Sequence, residues 1–232
     1  MQPEKIPTSV GIIIDGNRRW AKAHSLLPWQ GHEAGYKKVK EVVAWLRDAG
    51  VKDIVAYTFS TENWKRPEQE VSFLIKLIEH VLVNELDWAN QEGIRLRGVG
   101  DMTKFSEQVQ KLVKNAEEKT KNNSRITLGI ALNYGGRAEI LQAVNKLLTV
   151  RGSTSHSLVT EEEFSKLLYT KDIPDPDLIL RTSGEQRLSN FLPWQSTYSE
   201  LFFLPKMFPD LTKEDVTNVL AEYSARDRRR GK

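Results

Sequence analysis

Short β-branched runs and longer segments of helical period take turns along this chain, and no other feature of the sequence restricts its fold as much. The spacing predicts strands at Val10–Ile14, Ile54–Phe59, Ile94–Val99, Ile126–Leu132, Leu178–Arg181 and Glu200–Leu204. Helices are expected at Gly35–Ala49, Glu68–Glu92, Thr103–Lys121, Arg137–Val150, Glu161–Leu168 and Lys213–Arg226. Strand and helix in turn specify a mostly parallel central sheet of about six strands with helices on both faces. The two longest loop-like breaks, Arg151–Leu158 and Thr182–Ser199, are each followed at once by periodic structure. Residues 1–232 therefore read as a single α/β domain. In such a sheet ligands bind beyond the carboxyl ends of the strands, so the chemistry is sought there.

The first strand delivers Asp15 at its carboxyl end, and Gly16-Asn17-Arg18-Arg19-Trp20 then turns into a helix. Glycine lets backbone approach a ligand closely, the N–H groups at a helix start point outward, and two arginines can pair phosphate oxygens. The spacing from Gly11 to Gly16 imitates a nucleotide P-loop, but Asn17-Arg18 stands where Lys-Ser/Thr would be needed. At this point an anion site and a plain surface salt bridge are both open. The second strand runs into Ser60-Thr61-Glu62-Asn63-Trp64-Lys65-Arg66-Pro67-Glu68-Gln69-Glu70. Pro67, Glu68 and Glu70 suit the first turn of a helix, whereas Ser60, Asn63, Trp64 and Arg66 are not needed by one. A third cluster, Arg181 to Phe191, places two arginines six apart with Ser183, Gly184 and Ser189 nearby, in the manner of a second anion cradle.

With no cysteine in the chain, sulfur nucleophiles and sulfur-held metals are excluded, and oxygen and imidazole are left as metal ligands. Glu200, which opens the last apolar run, is read as a hard oxygen ligand able to share an ion with Asp15. Mg²⁺ commonly takes one or two carboxylates together with water and substrate phosphate. The helix Glu68–Glu92 is apolar on two sides, with Val71, Leu74, Ile75, Ile78 and Leu82 on one and Phe73, Leu77, Val81 and Trp88 on the other. Such a helix is either packed between layers or lines an apolar cavity.

The blocks Asp15-Gly16-Asn17-x-Arg19-Trp20, Gly31-His32, Phe59-Ser60-Thr61-Glu62-Asn63-Trp64-x-Arg66-Pro67, Asn133-Tyr134-Gly135-Gly136-Arg137 and Arg181-Thr182-Ser183-Gly184-Glu185-x-Arg187-x-Ser189-Asn190-Phe191 occur in that order. Together they resemble the signature blocks of bacterial cis-prenyltransferases of the undecaprenyl diphosphate synthase type, across nearly the whole chain. The resemblance implies a homodimeric α/β fold with an apolar tunnel, and a Mg²⁺-dependent enzyme. Its expected reaction elongates farnesyl diphosphate by successive cis additions of isopentenyl diphosphate. It implies Asp15 as catalytic carboxylate and metal ligand, Glu200 as the other metal carboxylate, and Asn63 at the position usually given to the proton acceptor. Gly16, Asn17, Arg18, Arg19, Trp20 and His32 correspond to the allylic diphosphate pocket. Arg181, Arg187, Leu188 and Ser189 correspond to the isopentenyl diphosphate pocket, and Ser60, Thr61, Glu62, Trp64 and Arg66 to substrate positioning. Arg229 and Gly231 match an Arg-x-Gly ending that reaches a diphosphate across the dimer. One departure is Pro28, where the family pattern has an arginine on the allylic diphosphate; Arg18 or Lys22 is left to supply that contact.

A non-catalytic partner subunit would be expected to lack the catalytic carboxylate, yet Asp15, Asn63 and Glu200 are present. A trans-type enzyme would need Asp-Asp-x-x-Asp motifs, which are absent. The 34 cations stand against 31 anions, a balance that disfavours nucleic acid as partner, although five cations crowd the last seven residues. No apolar window approaches the roughly 18 residues of a membrane span, and the opening segment lacks a signal-peptide pattern. The expectation is a cytoplasmic protein that delivers a lipid product to the membrane and touches it peripherally.

Overall fold

The computed structural model describes residues 5–151 and 158–227. In chain order the elements are β1 (Ser9–Ile13), α1 (Asn17–Ala23), α2 (Pro28–Ala49), β2 (Asp53–Ser60), α3 (Glu68–Asn84), α4 (Leu86–Gln91), β3 (Ile94–Val99), α5 (Glu107–Thr120), β4 (Ile126–Tyr134), α6 (Gly136–Arg151), α7 (Glu161–Ser165), β5 (Leu178–Arg181), β6 (Glu200–Phe203) and α8 (Lys213–Ala225). The six strands form one sheet in the order β3-β4-β2-β1-β5-β6, and every neighbouring pair is parallel. From β1 the chain first builds toward β3, then returns to the other side of β1 for β5 and β6. The carboxyl ends of β1 and β5 therefore lie at the switch point where such sheets open a crevice.

Side-chain alternation divides the core in two. Val10 and Ile12 of β1 and Leu178 and Leu180 of β5 face a large apolar cluster with Val42, Val43 and Leu46 of α2, Leu74 and Leu82 of α3 and Val109 and Val113 of α5. Ile13, Val55 and Ile179 face the opposite side, where Ile173, Phe191 and Leu192 cover them. That second cover is irregular chain rather than a layer of long helices, so the expectation of helices on both faces holds fully for one face only.

Two helices differ from the expected bounds for tertiary reasons. The predicted Glu68–Glu92 helix breaks at Glu85. There the carboxylate is held by Tyr36 Oη and, at 2.6 Å, by Lys40 Nζ, both on α2. Helix α2 begins seven residues earlier than its hydrophobic period suggests. Pro28 stands in its first turn, and Gln30 Oε1 accepts from the Leu27 N–H at 2.9 Å. Its glycines let α1 approach: a Cβ at Gly35 would lie 2.4 Å from Asn17 Nδ2. Among the described residues no helix is long and apolar enough to cross a membrane.

Candidate active site

Past the carboxyl end of β1 the backbone turns at Gly16 with φ +104°, a conformation that a side chain makes costly, and α1 starts at Asn17. Asp15, Gly16, Asn17, Arg18, Arg19, Lys22, Ser25, Leu26 and Pro28 then line one wall of an open polar crevice. His32 of α2, Ser60, Asn63 and Arg66 from the end of β2, and Arg181 from β5 line the rest. Residues far apart in sequence meet here because β2, β1 and β5 are adjacent, with β1 and β5 ending level and β2 running three residues further.

Asp15 is the hub. Its Oδ2 accepts from Arg181 Nη2 at 2.7 Å and its Oδ1 from Arg19 Nη2 at 3.2 Å. Its backbone is clamped by Thr182, whose Oγ1 accepts from the Asp15 N–H at 3.1 Å and donates to the Asp15 carbonyl at 2.7 Å. Burial acts to raise the Asp15 pKa, but the hydrogen bonds and charges of Arg181 and Arg19 outweigh it and hold the carboxyl below its ordinary value. A depressed carboxylate adds stability that is complete above the unfolded pKa and is lost as pH falls through the lower folded value. Acid titration of unfolding is accordingly expected to be flatter below about pH 4 in an Asp15→Asn variant than in the parent. Identical curves would show that the pair adds nothing.

Arg181 is only 4% exposed and its two Nη atoms are held by three acceptors, while its buried Nε has no partner among the described residues. Besides Asp15, its Nη1 donates to Ser189 Oγ at 2.7 Å and to the Arg187 carbonyl. The loop that supplies these acceptors is shaped by left-handed backbone at Ser183, Gly184, Ser189, Asn190 and Leu192. It is pinned by the Ser183 N–H to the Lys206 carbonyl at 2.6 Å and by the Gly184 N–H to the Leu204 carbonyl at 2.8 Å. Arg187 itself reaches outward and meets Glu185 Oε2 at 2.5 Å, while Arg19 meets the other oxygen of Glu185 at 3.2 Å. Leu188 packs partly buried against the second apolar cluster, not into the crevice.

A second carboxylate, Glu70, gathers the cations on the α2 side. Its Oε1 accepts from Arg66 Nη1 at 2.8 Å and lies 3.1 Å from His32 Nε2, and its Oε2 lies 3.7 Å from Arg18 Nη1. Burial, against the pull of Glu70, holds His32 below its usual pKa, so the imidazole is neutral at neutral pH. Glu70 was read from the sequence only as a helix-dipole partner, although its i,i+4 spacing from Arg66 was a usable signal. Thr182 and Glu185 are further residues of the site to which the sequence pattern assigns no role, whereas Lys22 lines the crevice as expected.

Other expected residues fall elsewhere. Trp20 turns away from the crevice, donating from Nε1 to Asp210 Oδ1 at 2.6 Å and packing on His24. Trp64 donates to Asn133 Oδ1 at 2.8 Å and packs with Phe59 and Phe105, which makes it a support beneath the turn. Asn63 lines the crevice, but its Oδ1 already accepts from the Ser60 N–H at 2.8 Å, leaving Nδ2 as what it offers a ligand. Thr61 donates to Glu62 Oε2 at 3.1 Å, and Glu62 Oε1 accepts from Asn190 at 3.0 Å.

Glu200 does not meet Asp15 within one chain. It starts β6 beside Leu178, the first residue of β5, whereas Asp15 lies two residues past the Ile13 that pairs Arg181. Five residues of strand at about 3.3 Å each put the two carboxylates at opposite ends of the sheet within one chain. Glu200 Oε2 is bound by Arg226 Nη1 at 2.7 Å. Among the described residues there is no group of three His, Asp or Glu that could hold a metal by itself. Arg229 and Gly231 lie outside the described residues.

The polar crevice opens inward on an apolar cavity of about 140 Å³ between the sheet, α2 and α3. Ile14, Asn17, His32, Thr58 and Leu74 belong to both, so the two form one continuous space. Leu77, Val81 and Trp88 line the cavity as expected, but Leu74, Ile78 and Leu82 line it as well. Phe73 instead faces an outer crevice between α2 and α3. A charged mouth on an apolar pocket suits a ligand with an anionic head and a hydrocarbon tail.

Comparison with known proteins agrees with this geometry. Residues 13–231 match the family model described as "Putative undecaprenyl diphosphate synthase". An isoprenyl transferase from Clostridium perfringens is 46% identical over 98% of this chain and 91% of its own, and one from Thermotoga maritima is 48% identical over 98% and 97%. A solved probable undecaprenyl diphosphate synthase from Campylobacter jejuni superposes with TM-score 0.82 at 30% identity, covering 99% of this chain and 100% of its own. The lavandulyl diphosphate synthase from Lavandula x intermedia, solved with dimethylallyl diphosphate, superposes with TM-score 0.92 at 33% identity over 98% and 99%. The family match over most of the chain, and a site shaped for an anionic head with an apolar tail, place this chain in the undecaprenyl diphosphate synthase family, whose members elongate an allylic diphosphate by cis condensation with isopentenyl diphosphate.

Proposed function

We propose that the protein extends farnesyl diphosphate with isopentenyl diphosphate to a polyprenyl diphosphate of undecaprenyl class, as a Mg²⁺-dependent homodimer working beside the membrane. The observation that carries this reading is the continuity of the arginine-lined mouth with the apolar cavity. The cavity is walled largely by aliphatic side chains from α3 and the sheet, among them Leu77, Ile78, Val81, Leu128 and Leu132, which suits a hydrocarbon chain.

The allylic diphosphate is held where Arg18, Arg19, Lys22, Asn17 and the α1 N–H groups converge, with its tail directed past His32 and Leu74. Arg181, Arg187 and Ser189 hold isopentenyl diphosphate on the β5 side. The donor set fits magnesium: Asp15 is a partly exposed carboxylate at the mouth, and diphosphate oxygens and water complete a hard-oxygen shell around such an ion. When bound, the ion neutralises charge on the departing diphosphate. The arginines share that work by hydrogen bonding the oxygens that gain charge as the carbon–oxygen bond breaks. Asn63 orients the reacting groups through Nδ2; a neutral amide is a poor base, and a diphosphate oxygen is the better proton acceptor.

Incubation with farnesyl diphosphate, labelled isopentenyl diphosphate and Mg²⁺, with the products resolved by length, tests the proposal. Extended cis products that vanish when EDTA removes the metal are expected; no extension would overturn it. Pro28 in the first turn of α2 lines the same mouth as Arg18 and Lys22. A Pro28→Arg variant is expected to lower the Michaelis constant for the allylic substrate about tenfold, since a charge-assisted contact contributes about 1.5–3 kcal/mol. An unchanged value would show that Arg18 and Lys22 already do the work.

Dimerisation is supported by the exposed apolar stripe Leu141, Val144 and Leu148 on α6, with Leu141 and Leu148 more than 60% exposed. Membrane contact is supported by exposed Leu26, Leu27 and Trp29 at the rim of the mouth.

A further inference from the structure

The groups that orient the reactants and those that hold isopentenyl diphosphate are built on different pieces of chain. The turn from Ser60 to Arg66 follows β2, the loop bearing Arg187 and Ser189 follows β5, and β1 lies between them. One side chain joins these pieces. Asn190 Nδ2 donates to Glu62 Oε1 at 3.0 Å, while its Oδ1 accepts from the Arg137 N–H at 2.9 Å and its carbonyl from the Gly136 N–H at 2.8 Å. Its backbone is left-handed, φ +68°, where asparagine is among the better-tolerated residues.

Capping α6 requires only the two oxygens of Asn190, and aspartate or serine would serve as well. The bond from Nδ2 adds nothing to the helix; it fixes the turn against the loop. The acceptor suits it. Burial works to raise the Glu62 pKa, but hydrogen bonds, that of Asn190 first, hold it below the ordinary value, so an ionised oxygen receives the amide proton. Ser189, next in the chain, does not depend on this bond, because Arg181 holds its hydroxyl and Tyr57 Oη donates to its carbonyl at 3.3 Å. Breaking the tie therefore frees the Glu62 side of the turn, which Trp64 still supports from beneath, and leaves the loop in place.

We propose that Asn190 is a positioning residue which, through Glu62, sets where the turn bearing Asn63 and Arg66 stands relative to the bound isopentenyl diphosphate. This rests on the reading that Arg181, Arg187 and Ser189 hold isopentenyl diphosphate while Asn63, in the turn after β2, orients the reacting groups. Its effect belongs to alignment of the reactants rather than to binding of either one, and alignment acts on kcat.

Asn190→Asp keeps the helix cap but turns an anionic oxygen on Glu62. It is expected to lower kcat about tenfold while both Michaelis constants stay within threefold. Glu62→Gln in the same protein restores a donor facing an acceptor, with the roles reversed. The double variant should exceed, several-fold in kcat, the product of the two single effects. Thermal midpoints of the four proteins without substrate should show coupling of the same sign. A double variant that equals the product of the singles overturns the inference, and so does coupling in the midpoints with none in kcat, which would make the bond structural only. If the parent makes no product, the reading of the site fails; if the parent works and the cycle is additive, this inference fails alone.

Discussion

Asp15→Ala is expected to lower turnover about a thousandfold while the protein stays folded, the scale seen when a preorganised electrostatic group is removed from an active site. The substitution takes away the carboxylate proposed to hold the metal and releases both arginines that Asp15 orients. Removing one partner of a buried ion pair often destabilises strongly, because the other charge is stranded. Here the penalty is eased: Arg181 keeps Ser189 and the Arg187 carbonyl, and the crevice admits water to its freed Nη2. Product formation and thermal midpoint measured on the same preparation separate the two effects. Activity within tenfold of the parent would remove Asp15 from the mechanism. Collapse of the midpoint with Asp15→Asn as well as Asp15→Ala would make its role structural.

The second large effect is expected at Arg181→Lys. One guanidinium now meets Asp15, Ser189 and the Arg187 carbonyl at once, a division that a planar fork permits and an ammonium on a thinner stem does not reproduce. Losing one charge-assisted bond of about 1.5–3 kcal/mol predicts a fall in kcat/KM for isopentenyl diphosphate of about tenfold to a hundredfold, at nearly constant KM for the allylic substrate. Steady-state kinetics with each substrate varied in turn measures this split. Equal losses on both substrates would mean that Arg181 serves the whole crevice rather than the β5 side.

The sheet was legible because a buried parallel strand depends on a local run of β-branched and apolar residues. Ile94–Val99 and Leu178–Arg181 fall where the sequence reading put them. Helix ends were less legible where tertiary contacts decide them. Gly31 and Gly35 weaken a helix by propensity, and only the close approach of Asn17 shows why α2 tolerates them. Lys40 and Tyr36, on another helix, hold the carboxylate at the break in the Glu68–Glu92 segment. In the site, backbone-borne features were readable: a carboxylate after β1, arginines after β1 and β5, and hydroxyls after β2. Side-chain direction was not. Trp20 and Trp64 sit within ligand-like motifs, yet each spends its indole N–H on the protein itself. The separation of Glu200 from Asp15 within one chain was legible, since the first residue of a parallel strand lies at the end away from the ligand crevice.

The joining of charged mouth and apolar cavity bears on processivity. Each added unit pushes five more carbons past Leu74 into the space lined by Ile78, Val81 and Leu82. At about 0.8 kcal/mol per buried methylene, full burial of one unit would strengthen retention of an intermediate by as much as ~4 kcal/mol. Escape of intermediates thus slows as elongation proceeds, and short chains are retained rather than shed. Once the cavity is filled, further units gain no burial, and dissociation overtakes addition. The length distribution of released lipid would then report where retention stops growing, a partition between two rates set by the walls of the cavity.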